Sequence, residues 1–121
     1  RVMEQFVWEQ QHTTAPVFYI DCANEMDRGE VVSVYAAAHQ VHGTFRSELD
    51  PTVLTDNTAD PTTASCAQHL DDGNMQVLYT NRKAAIIAVE LVNRFLHGKA
   101  QVGVTYFRDC LTSRTTVAEV A

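Results

Sequence analysis

Apolar positions along the chain fall into short β-like runs, one long helical run and a polar stretch between them. Residues 2–11 place Met3, Phe6 and Val7 on one side of an opening helix, with Trp8 set to cover an edge of the domain; Pro16 ends that helix. PVFYID (16–21) reads as a buried strand, short and rich in β-branched and aromatic residues. A turn follows over Asn24 to Gly29. VVSVYAA (31–37) and VHGTFR (41–46) predict a hairpin that turns near His39–Gln40. Residues 48–74 lack periodicity and read as a long loop, with one helical turn near Ala64–Leu70. Residues 75–79 are a short strand or a helix lead-in.

The clearest element is the helix predicted over 81–97, capped by Thr80 or Asn81 and stopped by Gly98. Ala84, Ile87, Ala88, Leu91, Val92 and Phe95 form its apolar stripe. Ile86, Val89 and Leu96 widen that stripe, which predicts burial on more than one side. Glu90 and Arg94 are an i,i+4 pair on its wet side. QVGVTYF (101–107) is the last clear strand, and 111–121 reads as the first turns of another helix, capped by Thr112 or Ser113.

Length then fixes the scale. At 121 residues and 45% apolar the chain is expected to form a single domain, 1–121, with a real core and no need of a metal or disulfide staple. Cys22, Cys66 and Cys110 are odd in number and widely spaced, which suits reduced thiols in a cytoplasmic or nuclear setting. No apolar run reaches bilayer length, so no membrane partner is expected. The polar start is unlike a signal peptide, and opening on Arg1 fits a start inside a longer protein.

Charge placement changes the picture further. Residues 47–81 hold no Lys or Arg but carry Glu48, Asp50, Asp56, Asp60, Asp71 and Asp72. These acids account for the whole net charge of −6, so the body is neutral and the 48–74 segment is acidic. A neutral body is weak support for phosphate binding.

Chemistry is sought where strands end. If strands 16–21 and 101–107 are parallel neighbours, their carboxyl ends present Asp21 and Asp109 together. Two carboxylates placed so can hold Mg²⁺ or Mn²⁺ and drive in-line phosphoryl chemistry, whereas an Asp after a strand also serves as a turn former or helix cap. Arg82, Lys83, Lys99, Arg108 and Arg114 form either a basic rim for nucleic acid or a solvated face. Cys66-x-x-His69 has half a zinc spacing, with Cys22 or Asp71 needed to extend it; a loop thiol beside a surface imidazole is the simpler reading. His39 and His42 flank the hairpin turn. Cys110 beside Arg108 is either a low-pKa thiol or a packed one. Acyl-transfer motifs and Gly-rich phosphate loops are absent from the sequence.

The order of these segments resembles the ribonuclease H-like superfamily, most nearly its retroelement type. FYIDCANEM looks like its first strand and acid, and RGEVVSVYAAAHQVHGTFRSELDP like its second and third strands. LYTNRKAAIIAVELVNRFLHGKAQVGVTYFRDCL looks like its helix, fourth strand and second acid. FVWEQ is similar to the lead-in of such domains, and YFRDCLTSRTTVAEV also looks like the matching part of Piwi-type nuclease domains. The resemblance implies an α/β fold, a mixed β-sheet with a central crossover helix setting the two Asp-bearing strands side by side. It also implies Asp21 and Asp109 as catalytic metal ligands and nucleic acid as partner. The pattern wants a Glu near the helix start, where this chain has Arg82, Lys83 and Ala84; Glu90 is rotated off that face. The acidic 48–74 segment is an insertion relative to that pattern. The chain also stops before the last strand and acid of the pattern, which implies a fragment or a degenerate copy. A second resemblance is to the second motor lobe of superfamily 1 helicases, through IDCANE, NRKAAIIAVELVNRFL and QVGVTYF, with Arg108 in the place of the phosphate-reaching arginine.

Two functions follow. One is a nucleic-acid-associated, ribonuclease H-like domain, active or degenerate, with Asp21 and Asp109 on a divalent metal. The other is a non-catalytic interaction or scaffold domain whose partner is another protein or a second copy. That one requires an exposed apolar patch, with Trp8 and the opening helix as first candidates. Element order favours the first; the missing Glu and the neutral body favour the second.

Overall fold

A computed structural model of the chain describes residues 2–24, 28–55, 78–108, 111–114 and 118–120. The elements run α1 (Val2–Gln10), β1 (Val17–Asn24), β2 (Arg28–Ala37), β3 (Gln40–His42), the short α2 (Arg46–Leu49) and a 3₁₀ turn (Pro51–Leu54). After these come α3 (Leu78–Leu96), β4 (Ala100–Arg108), β5 (Leu111–Arg114) and β6 (Ala118–Val120). Every strand pairing among the described residues is antiparallel. The helix and strand content of an α/β chain is present, on an antiparallel rather than the expected mixed sheet.

β2 is the axis of the sheet. β1 pairs with it from Val17↔Ala36 to Asn24↔Gly29. β4 lies on its other edge, from Arg28↔Arg108 to Ser33↔Gly103, and β3 continues that edge at Tyr35–Ala37. β5 and β6 pair with β4. The expectation that β1 and β4 would lie side by side is therefore corrected, because β2 runs between them. The cause is in the sequence of β2. Its apolar run is nearly unbroken, the signature of a strand buried on both faces. β1 ends in the polar residues Asp21, Cys22 and Asn24 and takes an outer place.

Alternation on β2 splits the interior in two. Val32, Val34 and Ala36 point to one face, where they meet Val7 of α1, Phe45 and Val104, with Val17, Tyr19 and Val41 at the margin. Val31 points to the other, where Ala84, Ile87 and Leu91 of α3 pack with Phe107, flanked by Phe18 and Ile20. Phe18 stacks on Phe95 with ring centroids 5.0 Å apart.

Three helix expectations change. α3 starts at Leu78, so Thr80 is a buried helical residue rather than a cap. In α1 only Val7 is buried, while Met3 and Phe6 stand exposed beside Trp8. Segments 111–114 and 118–120 are strands, not a helix start, and both pair with β4. The strand expected over 41–46 stops at His42 and Arg46 opens α2, while the helical turn predicted at 64–70 lies outside the described residues.

The β2–β3 turn sits at Ala38 and His39, both with positive φ (51° and 64°), as a two-residue hairpin of matching twist demands. The His39 N–H donates to the Gln11 carbonyl at 2.6 Å, which ties this turn to the end of α1. Gly43 follows at φ 100°, and a Cβ there would come within 2.7 Å of the Ser33 carbonyl oxygen. Gly43→Ala is thus expected to lower unfolding free energy by about 1–3 kcal/mol, read by urea denaturation. A neutral result would mean that the chain between β3 and Phe45 relaxes freely.

Candidate functional site

The densest polar contact among the described residues gathers at Arg46. Phe45 is buried in the α1-side core, and the Glu48 carboxylate accepts from the Phe45 N–H at 3.1 Å. Together they anchor the start of α2 over the sheet. From there the Arg46 Nε donates to Asp21 Oδ2 at 2.6 Å, Nη1 donates to Glu30 Oε1, and Nη2 donates to the Asp21 carbonyl at 3.3 Å. The Ser47 N–H donates to Glu4 Oε1 at 3.1 Å, which brings α1 into the same contact. Side-chain exposures of 12% for Arg46, 28% for Asp21 and 24% for Glu30 put the cluster under partial cover, where ion pairs are screened less than at an open surface. One guanidinium thus answers two carboxylates, a task suited to its planar fork.

The negative charges leave a mark on their neighbours. Burial, then Asp21 and Glu4, push the Tyr19 phenol up to about 12. Burial, then Asp21, push the Cys22 thiol up. Cys22 is therefore less ionised than an ordinary thiol at neutral pH and a poor nucleophile.

Asp21 and the basic residues at the start of α3 lie on different faces of the sheet. Asp21 shares the face of Val17 and Tyr19, the α1 side, and its row across the sheet runs through Val32 to Val104. α3, with Arg82 and Lys83, packs on the opposite face. The Lys83 Nζ lies 5.7 Å from the centroid of the Phe107 ring. Arg108 pairs across from Arg28 at the end of β4, and by alternation points away from the face of Phe107. Arg114 on β5 pairs across from Thr105. Of the expected basic rim, Arg108 is thus set off from Arg82 and Lys83. Asp109, Cys110, Cys66, His69 and Asp71 lie outside the described residues. Among the described residues no group of three or more His, Cys, Asp or Glu is placed to hold a metal ion.

A second surface stands on α3. Its buried line is Thr80, Ala84, Ile87 and Leu91. Directly opposite, Ala85, Ile86, Val89, Val92 and Leu96 face outward. Ile86, Val89 and Leu96 are 68%, 67% and 72% exposed and Val92 is 42% exposed, so the expected burial of these residues is corrected. The cause is geometric: a helix laid on one sheet face buries one side only, and no described element covers the other. The Glu90–Arg94 pair forms as expected, at 3.2 Å along one flank. Among the described residues no helix is long and apolar enough to cross a membrane.

Glu30 and Arg46 went unmarked in the sequence. Arg46 did carry a signal, as the last base before the base-free stretch. The outer stripe carried one too: Ala85, Val89, Val92 and Leu96 repeat at the same i, i+4, i+7, i+11 spacing as the buried line.

Arg46→Ala leaves two half-buried carboxylates facing each other and is expected to cost about 1–3 kcal/mol in urea denaturation. Asp21→Asn with Glu30→Gln in the same background should recover most of that loss, and an unchanged Arg46→Ala midpoint would show the cluster to be slack. Tyr19 gives a pH test. Its folded pKa lies above the ordinary 10.0, so the stability it contributes is full below pH 10 and is lost as pH rises toward about 12. Thermal melts over that window should fall more steeply for the wild type than for Tyr19→Phe, and equal slopes would count against the raised phenol. In comparisons with known proteins, no family model, no curated protein and no solved structure matches the chain.

Proposed function

We propose that this domain is a non-catalytic protein-interaction module whose contact surface is the outer face of α3. The observation that carries the reading is the outward line Ala85, Ile86, Val89, Val92 and Leu96, set opposite an anchored, buried line on the same helix. A row of large apolar side chains held in water is unfavourable by about 25 cal/mol per Å² of apolar area, and burial against a partner recovers it. The helix is nineteen residues long and fixed by Ala84, Ile87 and Leu91, so the surface is formed before any partner arrives.

The polar cluster supports the same reading. The Asp21 carboxylate is already answered by Arg46, and the helix start carries Arg82, Lys83 and Ala84 where a third acid would be needed. Metal-dependent hydrolysis requires carboxylate oxygens open to the cation.

The second reading is the ribonuclease H-like, nucleic-acid-associated domain, with Asp21 and Asp109 on Mg²⁺ or Mn²⁺. The observation in its favour is element order: three antiparallel strands, a long helix and then a strand, with Asp21 near the end of the first. A fold order alone does not deliver an activity.

Two measurements separate them. Val89→Asp with Leu96→Asp changes exposed residues only, so the melting temperature should hold while proteins retained by the immobilised wild-type domain are lost. Millimolar Mg²⁺ or Mn²⁺ should leave the melting temperature of the wild type unchanged. A metal-dependent rise that Asp21→Asn abolishes would transfer the conclusion to the nuclease reading. Identical retention by wild type and variant would remove α3 as the contact surface.

A further inference from the structure

The stripe on α3 has charged ends, and these narrow its partner. From 81 to 100 the chain carries Arg82, Lys83, Arg94 and Lys99 against a single acid, Glu90. Arg94 is bonded to Glu90, and Lys83 lies over the Phe107 ring. Arg82 stands exposed in line with the stripe at its N-terminal end, and Lys99 stands exposed just past Gly98 at the other. The surface is thus an apolar band of about two heptads, roughly 21 Å from Arg82 to Leu96, with one cation in line with it at its start and another exposed just beyond its last turn.

We infer that the outer face of α3 binds an amphipathic helix of another protein, one with apolar residues at i, i+3, i+4 and i+7 and acidic residues at both ends of that stripe. This rests on the interaction reading and adds the partner's chemistry to it. Apolar anchors at that spacing are what a helix offers to another helix. The ends decide between occupants. In an antiparallel pairing, a second copy of the chain brings Arg82 over the Leu96–Lys99 end of its twin, cation beside cation at both ends. In a parallel pairing Arg82 meets Arg82. A partner with Glu or Asp at its ends turns both contacts into attraction, which sets specificity and encounter rate.

Polyanionic surfaces fit less well. The body of the chain is electrically neutral, the net charge of −6 being confined to acids between 48 and 72, so it offers nucleic acid and anionic bilayers no long-range attraction. The stripe also lacks the Trp or Phe with which interfacial helices seat in a headgroup layer.

The test uses two synthetic helical peptides with one apolar stripe, the first ending in glutamates and the second in lysines. Fluorescence anisotropy follows their binding to the full chain, and sedimentation velocity follows the chain alone. The glutamate peptide is expected to bind at least about tenfold tighter than the lysine peptide. Val89→Glu should abolish binding of both, and Arg82→Glu with Lys99→Glu should reverse the preference while the melting temperature holds. Equal affinity for both peptides would overturn the acidic partner and leave the interaction surface standing. Concentration-dependent dimers abolished by Val89→Glu would name a second copy instead. A monomer that binds neither peptide would overturn the partner, and unchanged retention by the Val89→Asp/Leu96→Asp domain in the capture experiment would then remove the interaction reading as well.

Discussion

Burial of β2 on both faces is the constraint on which the rest of the molecule depends. Val31 faces α3 while Val32, Val34 and Ala36 face α1, so neither helix can leave without exposing one side of the same strand. Each fully buried Val contributes about 1.5–3 kcal/mol relative to exposure, and β2 supplies three of them. Because β1 and β4 hydrogen-bond to opposite edges of β2, the strand also fixes the register of Asp21 on one side and of Arg108 on the other. Position in the sheet, more than local sequence, decides what each charged residue can reach.

That division explains how far the sequence could be read. Period and punctuation were legible: the hairpin over β2 and β3, the long helix with its stop at Gly98, the strand over Ala100–Arg108 and the Glu90–Arg94 pair all follow from spacing on one element. Strand order was not, because no residue of β1 records which strand will lie beside it. The nearly unbroken apolar run of β2 was the available clue, and it pointed to the centre. Residues 111–114 and 118–120 show the opposite failing. A Thr or Ser after a strand fits a helix cap or a further strand equally well, and the free edge of β4 selects the strand.

The polar site was half legible. Asp21 was marked by its place near a strand end, but its partner Arg46 comes from twenty-five residues along the chain and a different element. Glu30 enters because it lies on β2 opposite Ala23, two residues past Asp21 on the same face. Ion pairs of this kind depend on tertiary placement, and single-sequence periodicity carries no term for it. On α3 the spacing was visible, but whether a second apolar line meets core or solvent depends on how many layers the fold contains. With one sheet face to cover, α3 turns its second line outward.

One cation serving two acids has a consequence for how this chain can vary over time. A change at position 46 strands both carboxylates, and a change at 21 or 30 leaves the guanidinium and the remaining acid to rearrange. The three positions are therefore expected to behave as a single heritable unit: drift through them proceeds by compensated sets, and the order in which substitutions arrive decides which are tolerated. A sheet face, a hairpin and a short helix far apart in sequence are bound by that contact into one shared mutational history.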